Sequence, residues 1–142
     1  MRAFFDTNVL VYAFDSSAPE KQDRALNLFD ALASKGDAVL STQVLQEFFV
    51  VTTRKLATPL SSERAEEIVR QFAQLPTVII DPDLILQAVR FTRAHQVTFW
   101  DALVVAAAKF GGATELLTED LQHGQTIEGV RIVNPFIEAS AA

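Results

Sequence analysis

The sequence predicts an α/β fold in which a mainly parallel central sheet of four to five strands is flanked by helices. Three observations carry this. Short apolar runs of strand length alternate with segments of helical periodicity, and alternation of that kind joins parallel strands through helices. Of the 142 residues, 49% are hydrophobic and 21% charged, the balance of a globular domain with a core of its own. No cysteine is present, so the core forms without disulfides, and a thiolate zinc site or cysteine nucleophile is excluded. With no linker, internal repeat or low-complexity stretch, residues 1–142 read as a single domain.

Each element has a local reason. Ala3-Phe4-Phe5 reads as the first strand. Ala25, Leu28, Phe29 and Leu32 recur at helical spacing, and Lys35-Gly36 ends that helix. Ala38-Val39-Leu40 is a second strand. Val44, Leu45, Phe48, Val51 and Thr52 form the inner face of the next helix, which Thr58-Pro59 interrupts because proline disfavours the α conformation in its predecessor. Ser61 or Ser62 caps a helix with Ala65, Ile68, Val69 and Phe72 inward. Thr77-Val78-Ile79-Ile80 is a third strand. Asp81 then stands as N-cap before Pro82, starting a helix that runs to about His95. Trp100 to Phe110 is apolar nearly all round and predicts a buried helix stopped by Gly111-Gly112. Glu115–Leu117 and Val130–Val133 are the last strands.

Charge and hydropathy narrow the function. The net charge of −6 argues against a protein that coats nucleic acid non-specifically. The longest apolar run, Ala102 to Ala108, is far short of the roughly 20 residues that span a bilayer. Asp6 interrupts the N-terminal apolar segment too early for an export signal, so a cytoplasmic location is expected.

In parallel α/β sheets, ligands collect beyond the carboxyl ends of the strands. Asp6 follows the first strand, and Asp120 follows a late one. Glu47 is the lone acid in the helix after the second strand. Asp101 opens the buried helix. Singly, each acid has a structural explanation: Asp6 as an N-cap, Asp101 as part of a Thr98-x-x-Asp101 capping box, Glu47 on a solvated helix edge, Asp120 in a turn. Together, four acids at one sheet edge repel each other unless a cation neutralises them, and hard divalent ions such as Mg²⁺ or Mn²⁺ take oxygen ligands of this kind.

Asp6-Thr7-Asn8-Val9-Leu10, lone Glu47, Phe99-Trp100-Asp101-Ala102 before a small apolar helix, and Leu117-Thr118-Glu119-Asp120 resemble, in order and spacing, the pattern of PIN domains. Asp120-Leu121-Gln122-His123-Gly124 and Ile132-Val133-Asn134-Pro135-Phe136 are similar to one branch of the VapC-type toxins. The resemblance spans essentially the whole chain. It implies a PIN-like, metal-dependent endoribonuclease whose catalytic and metal-binding tetrad is Asp6, Glu47, Asp101 and Asp120. Asp6 and Asp101 are the first choice for direct ligands of Mg²⁺ or Mn²⁺, and Asp120 is a third, direct or through water. Glu47 binds a second ion or orients the attacking water. Thr7, Asn8 and Thr118 are expected beside them as hydrogen-bonding partners, and Glu119 is expected to face water. The resemblance further implies an RNA substrate, a cognate antitoxin protein and a homodimer.

Other features give weaker leads. Arg54, Lys55, Arg90, Arg93 and Lys109 are candidate phosphate contacts, each also readable as a solvated helix face. Tyr12 and Trp100 can stack on bases but more often form core or cleft wall. His95 suits a helix C-terminus and His123 a loop, so neither is expected to be catalytic. Phe48, Phe49, Val50 and Val51 cannot all face one core from a single helix. Part of that run, with Ile68 or Phe72, is expected to form an apolar patch suited to dimerisation. Two alternatives stay open: a phosphatase-like hydrolase, and a metal-binding PIN-like module that binds RNA or a partner without turnover.

Overall fold

A computed structural model describes residues 1–137. β1 (Ala3–Phe5) leads into the short α1 (Thr7–Tyr12), then α2 (Pro19–Ala33), β2 (Ala38–Ser41), α3 (Thr42–Arg54) and α4 (Ser62–Phe72). β3 (Thr77–Val78), α5 (Pro82–His95), α6 (Phe99–Phe110), β4 (Glu115–Leu117), β5 (Thr126–Ile127) and β6 (Val130–Val133) follow. The strand order is β3-β2-β1-β4-β6-β5. All neighbouring pairs are parallel except β5 and β6. The predicted class therefore holds, with one strand more than expected.

The extra strand, β5, brings one apolar residue to the core, Ile127, which is too little for a periodic signal. It is fixed instead by the tight turn to β6, where Glu128 and Gly129 both take positive φ, the backbone of a two-residue hairpin. β3 is shorter than the predicted Thr77–Ile80. It lies at the open edge of the sheet, and beyond Val78 the chain turns away, with the Ile80 amide donating to the Thr42 hydroxyl at 3.1 Å.

Local capping sets the helix starts. Asp6, Ser41, Ser61, Asp81 and Thr98 each accept a backbone amide in the first turn of the helix that follows. α6 is buried from Ala102 to Ala108 because it is wedged between α5 and strands β2, β4 and β6. Its C-terminus passes so close to the sheet that a Cβ on Gly111 would meet Val39 Cγ1 at 2.8 Å, and Gly112 turns the chain away with φ of +76°.

Among α2, α3 and α4 lies a cluster of edge-to-face rings in which Phe72 meets Phe29 at 5.3 Å and Phe48 at 5.1 Å. Ile68 and Phe72 are thus core residues, which removes them from the expected surface patch. Phe49 and Val50 remain on the surface, 37% and 48% exposed, beside a shallow groove lined also by Leu45 and Val69.

Candidate active site

The register of the central strands builds the site. Phe5 pairs with Leu117 across β1 and β4, so Asp6 and Thr118 leave the sheet side by side. The Asp6 amide donates to Leu117 O at 3.0 Å, and the Thr118 amide to Val133 O at 3.0 Å, which fixes both backbones at the carboxyl edge. Asp6 is also the N-cap of α1, its Oδ1 accepting from the Thr7 amide at 2.7 Å. Its other oxygen accepts from the Thr118 hydroxyl at 2.8 Å. Thr118 is fully buried, and its single hydroxyl in turn accepts from the Asp120 amide at 3.0 Å. One side chain therefore orients two of the four acids.

Glu47 arrives from α3, which packs against α1. Its Oε1 accepts from the Thr7 hydroxyl at 2.7 Å. Asn8 bridges the two halves of the site: its Oδ1 accepts from the Glu119 amide at 3.3 Å, and its amide group approaches Thr118 Oγ1 at 3.5 Å. Asp101 sits in the first turn of α6, where its amide is capped by Thr98 Oγ1 at 3.2 Å. Thr98 thus caps the helix, while among the described residues no return bond from the Thr98 amide to the Asp101 carboxylate completes a capping box; the Asp101 charge bears on Asp120.

The electrostatics are those of a site short of positive charge. Burial pushes the Asp6 carboxyl up to about 6, against the hydrogen bonds from Thr118 and Thr7, and the charges of Asp120 and Glu47 add to the rise. Asp120 is also raised, first by burial and then by Asp101, with Asn8 opposing. Among the described residues none of the four acids has an ion-pair partner. Among them, too, no three His, Asp or Glu side chains are arranged to hold a metal ion, so the acids form one electrostatic cluster without a closed ligand ring.

Asp6, Glu47 and Asp120 line a cleft of about 620 Å³ with Thr7, Asn8, Tyr12, Val50 and Lys55 among its other walls. Asp101 approaches Asp120 from α6 and is not part of that wall. Of the five candidate phosphate contacts, Lys55 lines the cleft, while Lys109 is bound to Glu128 at 3.1 Å.

Two expectations change, and the histidines take structural partners. Glu119 does not simply face water: it pairs with Lys21 at 2.7 Å, and the ammonium also lies 4.6 Å from the centre of the Tyr12 ring. Trp100 is not core, being 63% exposed. His95 is engaged by Glu128 at 2.7 Å, while His123 Nδ1 accepts from the Asn134 amide at 3.0 Å, a role in turn structure. The sequence reading overlooked Lys21, whose helical spacing carried no hint of a partner 98 residues away. It also overlooked Gln43, one helical turn before Glu47, whose Oε1 is buried without a hydrogen bond among the described residues.

An open, mostly parallel α/β domain with uncompensated acids at the carboxyl edge of its central strands defines the class. Within it the chain belongs to the PIN-domain family, whose model matches residues 3–127. No curated protein sequence matches it. Solved structures share the fold at low identity. A toxin–antitoxin complex from Klebsiella pneumoniae is similar with a TM-score of 0.70 and 19% identity, covering 94% of this chain and 98% of that one. VapC20 of Mycobacterium tuberculosis, described as a toxin cleaving the sarcin–ricin loop, gives 0.63 and 20%, covering 83% and 89%. VapBC2 of Rickettsia felis bound to promoter DNA gives 0.66 and 18%, covering 93% and 97%.

Proposed function

We propose that this chain is a metal-dependent endoribonuclease and the toxin of a toxin–antitoxin pair. The observation that carries the reading is the uncompensated acid cluster: Asp6 and Asp120, held by Thr7, Thr118 and Asn8, sit where burial and neighbouring acids raise their proton affinity, and among the described residues no cation pairs with them. Groups strained in this way at a cleft are characteristic of functional sites. The donor chemistry fits a hard divalent ion, all carboxylate oxygen with hydroxyl and amide neighbours. Asp6, Asp101 and Asp120, with Glu47, would hold Mg²⁺ or Mn²⁺. Bound there, the ion would polarise the phosphodiester and lower the pKa of a water.

The chain's own residues do the rest. Thr118 keeps one Asp6 oxygen and the Asp120 backbone in fixed relation. Thr7 holds Glu47 toward the cleft, where the free carboxylate oxygen orients a water for in-line attack. Lys55, on the cleft wall, meets a backbone phosphate. An acidic enzyme that turns RNA over needs no broad basic surface, because tighter ground-state binding does not raise its rate. A phosphatase-like reading lacks support, since the position two residues after Asp6 is Asn8, a neutral bridge to Thr118 and Glu119.

The relatives of known structure include toxin–antitoxin complexes, which favours an antitoxin partner for this chain as well. The exposed Phe49 and Val50 supply apolar surface for a homodimer, and Phe49→Asp followed by light scattering tests that contact. The deciding experiment for activity is RNA cleavage by the purified chain with and without EDTA. Cleavage that stops with EDTA and returns with Mg²⁺ or Mn²⁺ is expected; cleavage indifferent to EDTA, or none with either ion, overturns the reading.

A further inference from the structure

Trp100, the protein's one tryptophan, is the second residue of α6 and directly precedes Asp101. Large aromatic rings usually contribute buried area, yet this residue is 63% exposed. The ring is nonetheless braced. Phe99, packed against the core, meets it edge-to-face with centroids 5.2 Å apart and planes at 77°. Of the other exposed apolar residues, Val50 lines the acid cleft from α3, whereas Phe110 and Ile79 border a separate hollow at the opposite end of α6, about 15 Å along the helix axis from Trp100. Trp100 therefore belongs to the carboxyl edge, beside the acid whose charge bears on Asp120.

We propose that Trp100 is a stacking platform for an unpaired RNA base next to the scissile phosphate. This deepens the ribonuclease reading and rests on it. A strand whose phosphate lies among the four acids runs past the first turn of α6, where Asp101 and Trp100 are neighbours. The chain carries a net charge of −6, and among the described residues Lys55 is the single Lys or Arg on the cleft wall. Charge attraction contributes little here, and stacking on a π face supplies affinity that is independent of charge and tolerant of sequence. A base inside an A-form duplex is covered by its neighbours on both faces, whereas a loop base splays out and stacks.

Because Trp100 is the sole indole, its fluorescence reports this contact alone. The Asp6→Asn chain, which binds without cutting, is titrated with a short mixed-sequence single-stranded RNA, and binding is followed in parallel by anisotropy of a labelled copy. Trp100 emission should be quenched in step with binding, and the matching oligonucleotide with abasic sites should bind more weakly and leave emission unchanged. Adding Trp100→Ala should weaken RNA binding by about five- to hundred-fold with unchanged circular dichroism, while Trp100→Phe retains most of the affinity. Binding without quenching, or wild-type affinity in Trp100→Ala, overturns the platform and leaves the ribonuclease reading standing. No RNA binding by any variant overturns the ribonuclease reading itself. Emission that changes with protein concentration alone, together with a dimer lost on Trp100→Ala, assigns the ring to a protein interface and overturns the proposal.

Discussion

At the carboxyl edge of the sheet, Asp6, Glu47, Asp101 and Asp120 share a region in which no described cation pairs with them. At the β5–β6 turn, by contrast, Glu128 is gripped by His95 at 2.7 Å and Lys109 at 3.1 Å. The carboxylates respond in opposite directions. Burial drives Asp6 up to about 6, while hydrogen bonds from His95 and Lys109 hold Glu128 below the usual range. His95 and Lys109 also lie in the last turns of α5 and α6, where positive charge suits the helix dipoles, so that cluster is complete as it stands. Where an acid closes a turn, this chain provides the cation. Where Asp6, Glu47 and Asp120 line a cleft, it provides hydrogen bonds that orient them and, among the described residues, no paired cation.

The largest effect that would sharpen this contrast is on cleavage. Asp6→Asn or Asp101→Asn keeps the shape of the side chain but removes its charge, and should reduce RNA cleavage by about a hundred-fold or more with circular dichroism unchanged. Wild-type turnover in either variant would break the assignment. Thr118→Val comes next. It leaves an Asp6 oxygen and the Asp120 amide without their shared partner, so cleavage should fall about ten- to hundred-fold and stability by about 1–3 kcal/mol, read from urea unfolding. A loss of stability with full activity would make Thr118 merely structural.

Third, the two clusters should slope oppositely with pH. The folded metal-free chain holds the Asp6 proton more tightly than the unfolded chain does. The Asp6 contribution to stability should therefore be fully present below pH ~4 and be lost as pH rises through about 6, by at most about 3 kcal/mol. Millimolar Mg²⁺ or Mn²⁺ should recover that loss above pH 6 as a rise in Tm, and Asp6→Asn should lose most of that slope and show a much smaller rise. Glu128, held low, contributes stability that is present above the ordinary carboxylate range and fades as pH falls through its own lowered value. Smallest of all, Glu128→Gln should trim Tm slightly, abolish that acid-side slope and leave cleavage untouched, because exposed ion pairs are weak and this one lies away from the cleft.

The contrast also shows how far the sequence could be read. Asp81-Pro82, Thr98 and Ser61 announce their helices because a cap is satisfied within three residues, and local hydrogen bonds leave local signatures. Asp6, Asp101 and Asp120 were visible because each stands at a predictable strand end or helix start, and Glu47 because it is the lone acid of its helix. Glu119 and Glu128 carried no such information: their partners, Lys21 and His95, are 98 and 33 residues away and lie on helices whose periodicity is unremarkable. The apolar run Phe48 to Val51 was correctly seen to exceed one face, but of the two places offered for Ile68 and Phe72, inward on their helix or in the surface patch, only the first holds. Ile68 and Phe72 face inward because α4 packs on α3 through the phenylalanine cluster, and no periodicity within α4 states what lies opposite it.

By itself the sequence determined the α/β class, the order of the elements, their caps and the candidate acids, since these follow from apolar spacing and from hydrogen bonds between near neighbours. The tertiary structure decided that Thr118 orients Asp6 across 112 residues, that Lys21 takes Glu119, that β5 adds an antiparallel edge strand and that Trp100 stands in solvent. Those outcomes depend on parallel register and on which helix covers which face. Both are set by contacts between segments far apart in the chain, where residue type alone leaves the pairing undetermined.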